Sequence, residues 1–170
     1  MFTNLIPDPL HPAVVHLPIA LVLILPLVAI GALVAIRRGG RPVIAWGLTL
    51  TVLSALVGSS WLATETGEQQ EERVEEIVGD APMHAHEEAA EAFLLLAFGV
   101  LVVSAPGLRA GRMGRVARIA GLAGAVALVG AGWKVGHSGG ALVYQHGAAA
   151  AYAASGGANL SLDQEVEDSD

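Results

Sequence analysis

Four stretches of this chain are too long and too apolar to be comfortable in water. A hydrocarbon core of about 30 Å takes roughly 20 residues of helix to cross. The runs at about 13–36, 43–63, 87–106 and 116–136 meet or approach that length. The first reads AVVHLPIALVLILPLVAIGALVAI and the second VIAWGLTLTVLSALVGSSWLA; the third opens with EEAAEAF, and the fourth is rich in Gly and Ala. None carries the polar stripe that a water-facing helix needs, which sets a soluble bundle aside. Composition agrees: charged residues make up 15% of the chain, against about 25% in average soluble domains. The expected fold is all-α, a four-helix transmembrane bundle over 1–158 followed by an acidic, disordered tail at 159–170.

Charge sets the expected orientation. Seven of the nine basic residues fall in two connections on one side: Arg37, Arg38 and Arg41, then Arg109, Arg112, Arg115 and Arg118. All sixteen acidic residues fall in the segments of the other side, ten of them between Glu65 and Glu91. The positive-inside rule makes the Arg connections cytoplasmic and both termini external, in a multi-pass protein of the cytoplasmic (inner) membrane. Between spans two and three, TETGEQQEERVEEIVGD at 64–80 has the composition of a short acidic surface helix. The net charge of −7 argues against nucleic acid as a partner, and the absence of Cys excludes disulfides, Fe–S clusters and thiolate metal sites.

The six histidines carry the chemistry. His11, His16, His84, His86, His137 and His146 all fall at or near the outer helix ends, and ionisable groups at membrane depth are costly and usually functional. With Pro12 in the first helical turn, His16 lies about one turn inside the first span, and His11 is expected in the segment leading into it. His84 and His86 are about 200° apart on a helix, so one of them can face the bundle, and His86 adjoins the span. His137 closes the fourth span, and Gly139–Gly140 are expected to turn His146 back toward it.

The favoured set is therefore His16, His86, His137 and His146. Imidazoles facing one another between helices suit axial ligation of a haem b iron, with four ligands allowing two haems. Gly121, Gly124, Gly130, Gly132 and Gly136 either leave room for a macrocycle or let helices pack closely. Trp61 and Trp133 read as interface anchors or ring contacts, and Lys134 and Arg73 as candidates to meet propionates. This gives a b-type electron carrier, exchanging electrons with a quinone or an outer-face redox protein, rather than a stand-alone enzyme. The alternative at the same cluster is a Zn, Ni or Cu ion, with His11, His84, Glu65 and Glu68 as further ligands. A third reading is a non-catalytic subunit of a homo- or hetero-oligomeric membrane complex. The Walker loop and H-E-x-x-H are absent from the sequence.

The run Pro9-Leu10-His11-Pro12-Ala13-Val14-Val15-His16-Leu17-Pro18-Ile19-Ala20-Leu21 resembles the hallmark of the bacterial membrane proteins grouped as domain of unknown function twenty-two thirty-one. That resemblance spans about 9–147 and implies four spans with a histidine opening the third. It sets His11, His16 and His86 on recurrent positions. Thr66-Gly67-Glu68 and the block from Gly136 to Gly147 resemble additions found in a longer subgroup.

Overall fold

The computed structural model describes residues 10–69 and 71–150, the side chains of residues 72 and 73 excepted. The tail expected at 159–170 and the Arg73 side chain lie outside that description. Among the described residues there are six α-helices: α1 (His11–Val14), α2 (His16–Arg37), α3 (Pro42–Glu68), α4 (Glu71–Val78), α5 (Asp80–Ser104) and α6 (Gly111–Tyr144). A 3-10 turn at Ala105–Leu108 links α5 to α6. Four of the helical stretches, counting α1 with α2, are long and apolar enough to cross a membrane. The protein is a multi-pass, all-α four-helix bundle.

Local chemistry explains the breaks. Pro18 has no N–H to offer the Val14 carbonyl, so α1 ends there and Val15 is a joint between two nearly continuous pieces. Helix α2 stops at Gly39, whose φ of 95° is a left-handed C′ conformation, and the Gly40 N–H bonds back to the Ala35 carbonyl at 2.9 Å. Pro42 then opens α3 at its first position, where its missing N–H costs nothing. Gly79, at φ 82°, separates α4 from α5.

Two of the expected boundaries shift. The third span begins at Asp80 rather than 87, because residues 80–91 carry helix-forming Ala and Glu that continue the apolar run. The fourth does not turn at Gly139–Gly140; α6 runs unbroken to Tyr144. Glycine lowers helix propensity by only about 1 kcal/mol, and at Gly139 a close neighbour makes use of the missing side chain.

Each helix packs on two neighbours, α2 on α3 and α6, α5 on α3 and α6, closing a ring of four. The buried positions repeat at alternating steps of three and four. On α2 they are Pro18, Val22, Leu25, Ala29 and Ala32, and on α3 Trp46, Thr49, Leu53, Leu56, Ser60 and Ala63, with Ser59 and Thr66 buried beside them. That 3.5-residue period is the seam of a left-handed bundle. The central core joins Val22, Leu25, Leu53, Leu56, Phe93, Ala97, Val100, Ala125 and Leu128. The opposite faces carry exposed Leu23, Leu27, Leu48, Leu95, Phe98 and Ile119, as a lipid-bathed bundle requires.

Glycines on α6 set the helix spacing. A Cβ at Gly121 would come within 2.5 Å of Ser104 Oγ, and one at Gly124 within 2.6 Å of a Val100 methyl. These two positions are filled by neighbouring helices and leave no slot for a flat macrocycle. At the Arg end the Trp46 indole N–H donates to the Ser104 carbonyl at 3.0 Å. Arg118 is buried there, and its Nη1 donates to the carbonyls of Gly107 and Arg109 at 2.6 and 3.0 Å. One of the seven basic residues is thus a strut for the 105–110 connection rather than a free surface charge.

Candidate functional site

Extending the seam to the other end of the bundle decides which histidines face inward. Counting back along α2 from Val22 through Pro18 and Val15 reaches His11, and counting back along α5 from Phe93 reaches His86. Both are partly buried. His16, off the seam, is exposed, as are His84, His137 and His146. His11 therefore does not lie in a segment outside the bundle: it begins the helical turn α1 and is held against α3. Three of the four favoured residues, His16, His137 and His146, are not gathered into a common site, and the expected turn that would have brought His146 inward is absent. His84 faces out at 65% exposure and lies 3.3 Å from Glu87 Oε2.

The two inward rings are seated in the same manner. His11 Nδ1 lies 2.8 Å from the Ala63 carbonyl and 3.4 Å from the Thr66 hydroxyl. A carbonyl can only accept, so in the neutral ring Nδ1 carries the proton and Nε2 keeps its lone pair. His86 Nδ1 lies 2.9 Å from Ser138 Oγ, and that hydroxyl is 2.9 Å from the Val135 carbonyl. Ser138 spends its proton on Val135, so it accepts from His86 Nδ1–H, and again Nε2 is left bare. Each ring also lies against a glycine of the helix that holds it. A Cβ at Gly67 would stand 3.2 Å from His11 Cε1, and one at Gly139 would stand 3.0 Å from His86 Cε1.

His11 and His86 line one cavity of about 320 Å³ between the helix ends, at the small end of the roughly 300–1,000 Å³ range of ligand pockets. Glu68, Glu71, Glu87 and Glu91 contribute carboxylates to its wall. Glu87 Oε1 is buried and has no hydrogen-bond partner among the described residues. The roof is apolar: Val74 of α4, Met83 of α5, Leu142 of α6 and Ala148 form a small cluster separate from the main core. The wall thus includes two imidazoles, each with Nδ1 engaged by the protein, and four glutamates. Among the described residues no group of three or more His, Asp or Glu is arranged to hold a metal ion.

The remaining sequence candidates fall away from this cavity. Glu65 is exposed, whereas Glu68 lines the wall. Trp61 and Trp133 are 58% and 76% exposed, which suits interface anchors better than ring contacts. Lys134 is exposed as well. Sequence reasoning set His11 among the lesser ligands and missed Gly67, Ser138 and Gly139 as supports. Continuing the 3.5-residue count past the apolar runs would have found His11, Gly67 and Gly139.

Fold and site together define a multi-pass membrane protein with a two-histidine cavity at one end of its bundle. No family model, curated protein or solved structure matches the chain.

Proposed function

We propose that this chain binds one b-type haem through His11 and His86 and carries electrons at the outer face of the cytoplasmic membrane. The observation that supports it is the pair of bare Nε2 atoms on separate spans, lining one cavity, with each Nδ1 tied back to the protein. A ligating histidine ordinarily has its second nitrogen bonded in this way, which fixes both tautomer and ring direction. The count of ligands favours haem over a bare ion. A haem iron asks the protein for two axial groups, whereas a Zn site takes three or four protein ligands. When bound, the haem would supply reversible one-electron transfer at the iron. His11 and His86 would hold it, Gly67 and Gly139 admit the rings to their seats, and Val74, Met83, Leu142 and Ala148 give the cavity an apolar roof.

Orientation follows from the arginines. With the Arg connections cytoplasmic, the cavity opens outward and both termini are external, within reach of a quinol or an outer-face redox protein. The carboxylates of the wall support a second reading, a divalent cation at the same place. The absence of a third arranged ligand among the described residues stands against it.

Absorption spectra of the detergent-purified protein, oxidised and dithionite-reduced, test this directly. Sharp α and β bands at about one haem per chain are expected. A featureless spectrum from protein expressed with ample haem would overturn the reading. Stoichiometric Zn, Ni or Cu by elemental analysis would then favour the cation.

The glycine seats give a finer prediction. Gly67→Ala and Gly139→Ala push the imidazoles aside by a few tenths of an ångström and loosen their Nδ1 bonds. Haem affinity should fall roughly tenfold, the scale on which supporting bonds tune metal sites. Gly136→Ala and Gly140→Ala, with nothing within 4 Å of the added methyl, should leave it unchanged in the same haem titration.

A further inference from the structure

At the Arg end, an apolar groove of about 540 Å³ opens on the outside of the bundle, where the 105–110 connection meets the first turns of α6. Its floor is a stripe along α6, Met113, Val116, Ala117 and Ala120, walled by Val103 and Pro106. Those α6 positions are spaced i, i+3, i+4 and i+7, so they form one continuous face. Arg112 stands at the end of that stripe nearest the connection.

Arg112 is exposed, as are Arg109 and Arg115 within one turn of it, while Arg118 is already committed to backbone carbonyls. No acidic residue lies in the first turn of α6, and the described salt bridge is at the opposite end. The groove therefore joins a strip of hydrocarbon to an uncompensated cation where the headgroup layer meets the helix ends.

We propose that this groove holds one anionic phospholipid. An acyl chain lies along Met113, Val116 and Ala120, and the phosphate is held by the Arg112 guanidinium. The fit rests on charge complementarity and on length, since a lipid alone supplies a long apolar tail beside an anionic head. A guanidinium is also suited to phosphate, because its planar donors can engage two oxygens at once. This inference is independent of what the histidine cavity binds.

Native mass spectrometry of the detergent-released full chain, with phosphatidylglycerol or phosphatidylcholine of the same acyl length added, provides the test. One phosphatidylglycerol per chain is expected to survive release while phosphatidylcholine is lost. Arg112→Gln should weaken retention roughly fivefold, the worth of one basic residue at an anionic surface. Ala120→Phe, which fills the groove without touching charge, should weaken it as well. Arg38→Gln, an exposed arginine of the other connection, should behave as wild type. Equal retention of the two lipids, no effect of Arg112→Gln, or an equal effect of Arg38→Gln would overturn the proposal. Displacement of the lipid by millimolar glycerol 3-phosphate would also overturn it, by showing that a soluble phosphate suffices.

Discussion

If the proposed haem site is right, His11→Ala and His86→Ala should each abolish stoichiometric haem retention, whereas His16→Ala, His137→Ala and His146→Ala should leave it near the wild-type level. The division follows from where the rings point rather than from how close each residue is to the outer surface. His11 and His86 share the cavity and keep Nε2 free; the other three are exposed. Each imidazole would supply one of the protein's two ligands to the proposed haem, so occupancy in the purified protein should fall at least tenfold for either variant, about 1.4 kcal/mol or more. Haem per chain, measured by pyridine haemochrome against protein concentration, checks it. An occupancy lost in His16→Ala and kept in His11→Ala would reverse the assignment. Far-UV circular dichroism on the same samples separates lost ligation from lost fold, because both variants should remain fully helical.

Trp46→Ala carries the largest expected cost to stability. The indole is fully buried at the Arg end, among Ala29, Ala32 and Leu122, and its N–H binds the Ser104 carbonyl. Lipid is as apolar as the helix interface, so the usual transfer term contributes little here. What remains is the void left by a large ring, on the order of 3 kcal/mol, together with about 1 kcal/mol for the hydrogen bond. Trp46→Phe should lose mainly the second part. Gly107 is the partner of this contact: a Cβ there would collide with the indole Nε1 and Cδ1. Gly107→Ala should cost about 1–3 kcal/mol by overpacking. It should cost much less in the Trp46→Ala background, where the ring it strikes is gone. Unfolding by sodium dodecyl sulfate titration, read by circular dichroism for the two singles and the double, measures that coupling; strict additivity would contradict the packing described here.

The four spans were legible because run length is a property of the chain alone, and no turn or cap interrupts them. Their inward faces were not. In water, hydrophobic periodicity marks the buried side, but here Leu23 and Leu27 face outward and Leu25 inward with equal apolarity. What distinguishes the seam is small and polar residues at a 3.5-residue spacing: Thr49, Ser60 and Gly67 on α3, Gly121 and Gly139 on α6. The histidines were legible as a group confined to one end, and the choice of His86 over His84 needed only helix geometry. His11 was misplaced because His16 was assumed to face the bundle and the two lie about 140° apart on a helix; in the structure His11 is on the inward face and His16 is off it. The roof over the cavity depends on contacts between Val74, Leu142 and Ala148, far apart in sequence, and no local pattern announces it.

The most direct test asks whether positions 11 and 86 face each other, and it needs no cofactor. The chain has no cysteine, so engineered thiols react without background. In membranes, His11→Cys paired with His86→Cys should be bridged by a short bis-maleimide and migrate as an internally linked chain after cleavage in the 71–78 helix. His16→Cys paired with His86→Cys should remain unlinked. Efficient bridging of the second pair, with none of the first, would contradict the account.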